Sequence, residues 1–255
     1  MLPAHVRFLF SDYFDGCGRA LPGRAVRMEG HAHTDHADGY SPARACVERA
    51  LAMGLDILVF AEHMRRGAPW RDAYFYEIEA LKAEFAGRLR IMCGIEATAL
   101  AGQGGLDTDP QSLERAELVV GSVHGLWAAG QGGDRDPFHR PSEQETLCAE
   151  TELLHALACD PRVHVIGHPF GTYFERFGHP PAQAVLDLAQ LAARQGKALE
   201  INVRHMDAPW FASLLAPAAG AGLLFWPASD AHLARHVGRA AMALFPAEFP
   251  DTHSL

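Results

Sequence analysis

A barrel of alternating β-strands and α-helices, about seven units in all, is the fold class this sequence predicts, and three observations predict it. Seven short apolar runs, each ending in polar residues, recur along the 255 residues. Segments with helical spacing lie between them, and no linker or shift of composition divides the chain. Such alternation makes a parallel sheet with right-handed crossovers, and seven repeats suggest a closed or nearly closed barrel rather than an open sheet. The length is compatible with one domain over residues 1–255, with residues 1–24 as an extension before the first strand.

The first run is VRMEGH, from Val26. Ser41-Pro42 then predicts an N-cap with proline at the first helical position, and the helix runs through Cys46, Val47, Ala50 and Leu51 to a stop at Gly54. The runs DILVFAEH from Asp56, LRIMCGIE from Leu89 and ELVVGSVH from Glu117 follow. They are near-continuously apolar, as strands covered on both faces are. Ser142 with Glu145 forms a capping box for a helix that faces the core with Leu147, Leu154 and Ala158. After VHVIGHP from Val163, Pro181 opens a helix through Val185, Leu188 and Ala192 that stops at Gly196. The last two runs are ALEINVR from Ala198 and LLFWPASDAH from Leu223. Three Gly/Pro-rich stretches, around residues 97–112, 125–142 and 169–181, follow strands and fall where a barrel carries its binding loops.

Composition narrows the function. The chain is 49% hydrophobic and 21% charged, which suits a packed core. A net charge of −9 argues against long nucleic acid and anionic membrane, both of which demand basic patches, and favours a small substrate. The start, MLPAHVRFLFSDYFDG, lacks the pattern of a signal peptide, and the longest apolar run, Leu214 to Ala228, is broken by proline and glycine. A cytoplasmic protein is expected. Cys17, Cys46, Cys93, Cys148 and Cys159 have no paired spacing and read as buried or incidental thiols.

Nearly every strand ends in a residue able to hold a metal. His31 and His33 end the first, with Asp38 just after; His63 ends the second, Glu96 the third, His124 the fourth, His168 the fifth, and Asp230 with His232 the seventh. A barrel gathers its strand carboxyl ends on one face, so nine side chains spread over two hundred residues converge there. Residues two apart on a strand share a side, so His31 with His33 and Asp230 with His232 can each grip an ion. Mixed imidazole and carboxylate donors suit zinc, iron or manganese rather than calcium. Nine ligands suggest two or three ions, with Glu96 available as a bridge.

The segments HAHTDHADG, AEH, GIEA followed by GGLD, GSVH, GHP, LEIN and SDAH stand in the order found in the polymerase-and-histidinol-phosphatase (PHP) family, which the chain resembles from about Val26 to Arg239. The resemblance implies a distorted seven-stranded TIM-like barrel, a trinuclear metal site and hydrolysis of phosphate esters. It places His31, His33, Glu96 and Asp230 on one metal; Glu96 bridges to a second held by His124 and His168; Asp38, His63 and His232 take a third. Glu96, Asp230 and His232 are read as the catalytic members. A water shared by two such ions ionises near neutral pH, and the hydroxide can attack phosphorus in line.

Cations that follow strand ends are candidates for binding phosphate: Arg176 and Arg204 first, then Arg65 or Arg66. His36, within the first motif, is expected to be exposed or to support a ligand. Glu62 either orients a neighbour or is structural, His205 could touch substrate, and His164 reads as core. Trp70, Trp127 and Trp210 are read as packing residues, with Trp127 also placed to wall the site. The leading expectation is a histidinol-phosphatase-like monoesterase acting on a small phosphorylated metabolite, its oligomeric state open. The alternatives are a nucleotide phosphoesterase or short-oligonucleotide exonuclease, and a noncatalytic metal-binding module, against which the complete ligand set counts.

Overall fold

A computed structural model describes residues 27–101, 105–126, 140–204 and 223–244. The expected amino-terminal extension, Cys17, Trp127, His205, Trp210 and most of the stretch 125–142 lie outside the described residues.

All seven apolar runs form strands: β1 (Met28–Ala32), β2 (Ile57–His63), β3 (Arg90–Thr98), β4 (Leu118–Ser122), β5 (Val165–Ile166), β6 (Ala198–Asn202) and β7 (Leu224–Ala228). They pair in parallel, in chain order, within one seven-stranded sheet. The helices between them are α1 (Ala43–Ala52), α2 (Arg71–Glu84), α3 (Pro110–Arg115), α4 (Glu143–Cys159), α5 (Gly171–Phe177) and α6 (Ala182–Gln195), and α7 (Arg239–Leu244) follows β7. Backbone bonds from His33 N to Ala231 O and from Ala231 N to His31 O join the ends of the sheet through the Ala32–Ala231 bridge. The buried Glu29 carboxylate adds a clamp by accepting the N–H groups of His31, Ser229 and Gly238. The result is a nearly closed barrel.

Two apolar layers fill it. Met28, Val59, Met92, Val120, Val165 and Trp226 belong to the inner layer. The outer layer seals strand residues such as Leu58 and Phe60 against helix residues such as Val47, Ile78, Leu154 and Leu188. Each fully buried aliphatic side chain contributes about 1.5–3 kcal/mol. The much larger outer layer therefore carries most of the stabilisation, which leaves the mouth of the barrel free for polar groups.

Several local readings hold: the Ser142–Glu145 capping box is present, and α6 runs from Pro181 to a left-handed Gly196. Others change. Pro42 takes the N-cap position of α1, not the first helical one, because the Ser41 hydroxyl accepts the N–H of Ala234 instead of capping the helix. The stretch 169–181, expected as a loop, contains α5, whose first two free N–H groups, of Thr172 and Tyr173, are satisfied by buried Glu150. His164 is half-buried rather than core: its Nδ1 accepts the N–H of Val119 at 3.0 Å, in place of a backbone partner. Trp70 packs against the core at the start of α2. The described cysteines are all free, Cys46 and Cys93 buried, Cys148 and Cys159 exposed. Among the described residues no helix is long and apolar enough to cross a membrane.

Candidate metal centre

Strand parity aims the centre. Ile57, Met92, Leu118 and Trp226 face the barrel interior, so His63, Glu96, His124 and Asp230, an even number of residues further along, project to the same side at the mouth. Three ligands break this rule. Met28 faces inward, and His31 and His33, three and five residues on, have the opposite parity. A bulge supplies the missing residue: Glu29 pairs with Leu58 and Ala32 with Phe60, so three steps on β1 match two on β2. The bulge passes through Gly30, whose carbonyl accepts the indole N–H of Trp226 at 2.8 Å. A Cβ there would lie 2.3 Å from Trp226 Nε1, so only glycine fits. His168 is likewise three residues past inward-facing Val165. It is aimed by a left-handed turn (φ 23°), and Asp230 is left-handed too (φ 48°). Conformations of this kind persist only where the surroundings enforce them, and they cluster at functional sites.

Glu96 is the hub. Its buried carboxylate lies 2.8 Å from His63 Nδ1, 2.9 Å from His168 Nε2 and 3.3 Å from His124 Nε2, with His31 and His33 Nε2 at 3.7 and 3.8 Å. Around it, His33 Nε2 meets Asp230 Oδ1 at 3.1 Å, and Asp38 Oδ2 lies 3.3 Å from His63 and 3.5 Å from His232. All nine residues expected to bind metal are thus drawn together. Eight of them form three overlapping groups with ligand atoms close enough to share a cation: His31, His33 and Asp230; His63, Glu96 and His124; and His33, Asp38, His63 and His232. His63 belongs to two groups, whereas the resemblance assigned it to one. His168 lies in none of these groups and meets Glu96 Oε1 through its Nε2 at 2.9 Å.

The residues fit a metal. His31 Nε2 is a buried side-chain atom with no hydrogen-bond partner, which is costly unless a bound cation satisfies it. A cation bound among N and O donors does so. Burial opposes the charged imidazole, but bonds to Asp38 and Glu96 outweigh it and push His63 up to about 10. At His168 burial again opposes, and Glu96 prevails to push it up to about 9. Burial alone would raise Glu96; the nearby imidazoles, His124 and His31 foremost, instead hold its carboxyl well below the usual range. Without metal, then, protonated imidazoles balance the carboxylates.

Of the residues that orient the ligands, sequence reasoning missed Glu200 and Thr98 and left Glu62 open between orienting a neighbour and a structural role. Glu200, fully buried on β6, takes His31 Nδ1 on Oε1 at 2.7 Å and accepts the backbone N–H of His168 on Oε2 at 2.5 Å. One carboxylate therefore fixes two of the three ligands that strand parity would misplace, and Glu62 holds the third. Its signal was legible: a carboxylate in mid-strand, in phase with inward-facing Ala198. Glu62 orients His33 through Nδ1 at 3.4 Å and holds Thr34 by both its N–H and its hydroxyl. Thr98 Oγ1 contacts His124 Nδ1 at 2.8 Å. His36 faces away from the cluster and pairs with Glu77. Groups holding the second nitrogen of a ligating imidazole are worth about 10–100-fold in metal affinity. Glu200→Gln, which retains the shape but puts an amide where two donors now point, is expected to weaken zinc binding by about that factor. Competition against a chelating dye would measure it, and unchanged affinity with unchanged helicity would reduce Glu200 to a packing residue.

The cluster floors a cavity of about 230 Å³, walled on one side by Thr172 and Glu175 of α5 and on another by Arg204. Of the arginines expected to meet phosphate, Arg204 is the one in this lining: it donates to Asp230 Oδ2 at 2.9 Å and remains half exposed. Arg176 is exposed on the last turn of α5 and lies over the Phe177 ring, so the cavity meets α5 through Glu175 instead. Arg65 is exposed beyond β2, and Arg66 turns to the carbonyl of Leu106.

A family model described as PHP domain matches residues 29–204. A protein named probable histidinol-phosphatase from Deinococcus radiodurans is 32% identical over 236 residues, covering 82% of this chain and 88% of that one. The histidinol-phosphatase of Lactococcus lactis is 26% identical over 211 residues, covering 72% and 74%. A crystal structure of histidinol phosphate phosphatase from Lactococcus lactis, complexed with zinc, L-histidinol and phosphate, superposes with a TM-score of 0.61 at 21% identity over 86% of this chain and 91% of that one.

Proposed function

The chain belongs to the PHP domain family, and on that premise we propose that it is a metal-dependent phosphatase that hydrolyses a small phosphate monoester. The observation that carries the reading is the hub: one buried carboxylate ringed by five imidazoles, with His31 Nε2 left unsatisfied. His31, His33, Asp38, His63, Glu96, His124, His168, Asp230 and His232 would hold two or three divalent ions, zinc first among zinc, iron and manganese. Zinc is favoured because the donors mix imidazole and carboxylate and because a zinc complex exists for a histidinol phosphate phosphatase of the same fold. Histidinol phosphate is the first ester to assay, since relatives at 32% and 26% identity carry that activity in their names.

When bound, divalent ions of this kind bring the pKa of a coordinated water toward neutrality and offset charge on phosphoryl oxygens. The chain's own residues supply position and counter-charge. Glu200 and Glu62 set the tautomer and tilt of His31 and His33, so that each turns Nε2 toward Glu96. Asp230 presents one oxygen to His33 and the other to Arg204, which fixes the guanidinium at the rim. The remaining N–H groups of Arg204 can take the oxygens of a phosphoryl group as its charge shifts in the transition state. The P–O ester bond breaks, water supplies the new oxygen on phosphorus, and the alcohol leaves with a proton.

Hydrolysis of para-nitrophenyl phosphate tests this. Turnover is expected to vanish on dialysis against a chelator and to return with zinc. Because His63 and His168 hold protons in the metal-free cluster, reloading is expected to release protons and to weaken as the pH falls. Tight metal binding with no turnover of any phosphate ester would leave a binding module and end the phosphatase reading.

A further inference from the structure

A second, larger cavity of about 560 Å³ opens beside the metal cavity and shares Asp38, Arg204, Asp230 and His232 with it. Beyond those shared residues its wall is made in part by Tyr40, His236 and Arg239. A phosphoryl group bound over the cluster in the smaller space would point its ester oxygen, and whatever that oxygen carries, into the larger one. With a phosphoryl group so placed, the second cavity would hold the leaving group.

The wall is cationic in a chain whose net charge is −9. Arg239 is exposed and, among the described residues, forms no ion pair. Arg204 spends one nitrogen on Asp230 and has donors to spare. His236 is half-buried, and burial first, then the Arg239, Arg235, Arg204 and His232 charges around it, push its imidazole toward the neutral form. The two carboxylates in the lining, Asp38 and Asp230, belong to the metal cluster and are turned to His63, His232, His33 and Arg204. They do not offset Arg239. Tyr40, 79% exposed, supplies a flat rim without charge.

We propose that this second cavity selects phosphate monoesters whose leaving group carries its own anion, a carboxylate or a second phosphate, with Arg239 and the outer face of Arg204 as the specificity-determining residues. The inference rests on the phosphatase reading and narrows its substrate class. It also separates this chain from the chemistry of histidinol phosphate, whose leaving group bears an amine that would be protonated and would meet two guanidinium groups.

The test compares esters that differ mainly in leaving-group charge, using the zinc-loaded full chain. 2-Phosphoglycerate, glycerol 2-phosphate, O-phosphoethanolamine and histidinol phosphate carry a carboxylate, no charge, and ammonium groups respectively; fructose 1,6-bisphosphate against fructose 1-phosphate supplies the second-phosphate arm. Values of kcat/KM are expected to fall from anionic to neutral to cationic leaving groups, by about tenfold per step, the effect of one charge-assisted hydrogen bond. Preference within either anionic pair supports the inference, and the larger ratio identifies the anion. Arg239→Gln is expected to shrink the anionic-to-neutral ratio and Arg239→Glu to invert it. A carboxylate at the first residue of α7 suits a helix start, so the second variant is expected to fold. Equal kcat/KM across the series, a preference for the amines, or a ratio untouched by Arg239→Glu would overturn the inference while leaving the phosphatase intact. No turnover of any ester, para-nitrophenyl phosphate included, would remove the phosphatase reading and this inference with it.

Discussion

Glu96→Gln is expected to leave a folded barrel that neither retains its metal nor turns over phosphate esters. The side chain keeps its volume, so the surrounding packing has no cavity to collapse into. Its negative charge is what changes. Five imidazoles lie within 3.8 Å of that carboxylate, and it meets the rings of His63, His124 and His168 at 2.8, 3.3 and 2.9 Å. A neutral amide offers one oxygen in place of two and cannot offset cations on both sides. Loss of a single electrostatic contact in an active site costs about 10²–10³-fold in kcat. A hub that serves several ligands is expected to exceed that range. Metal content by elemental analysis, circular dichroism and turnover of para-nitrophenyl phosphate are read on the same sample. Wild-type zinc content with wild-type turnover would mean that the centre lies elsewhere.

Gly30→Ala is expected to cost stability and metal together, although Gly30 ligates nothing. The added Cβ would stand 2.3 Å from Trp226 Nε1 and 2.5 Å from the carbonyl oxygen of Pro227. Neither can retreat. Trp226 is fully buried within the inner layer and holds the Gly30 carbonyl through its indole N–H, and the Pro227 oxygen is backbone. Overpacking of this severity costs about 3 kcal/mol or more. At about 2–4 °C per kcal/mol for a chain of this size, the melting temperature drops by roughly 6–12 °C. Relief by straightening the bulge would swing His31 out of phase with the interior and away from Glu200 and Glu96. A thermal melt alongside a zinc titration checks both effects, and a variant melting within a degree of the parent with full zinc affinity would refute the role given to the bulge.

How far the site could be read from sequence depended on backbone regularity. His63, Glu96, His124 and Asp230 sit in phase with inward-facing apolar residues of their own strands, so spacing alone was enough to aim them. His31, His33 and His168 are out of phase. They reach the cluster through a bulge and a left-handed turn, which pattern counting along a strand does not register. Glu200 went unread for a different reason. A lone carboxylate in an apolar strand resembles any other charged residue until its partners from β1 and from the turn after β5 are in place. The arginines were the weakest part of the reading, because a loop cation's position after a strand says little about where a long, flexible side chain is held; Asp230 holds Arg204, and a neighbouring aromatic ring holds Arg176 away.

By itself the sequence determined the seven-unit barrel, the side of the barrel where its ligands gather, and the ligand chemistry. These follow from local rules, namely apolar runs of strand length, helix caps, and side chains that alternate along an extended chain. Only the tertiary structure decided which carboxylates orient which imidazoles, which arginine faces the cavity, and that a second cavity lined by Arg204 and Arg239 adjoins the ligand cluster. Those outcomes depend on distances between atoms far apart in the chain, and such distances exist only once the sheet has rolled up and brought its first and last strands together.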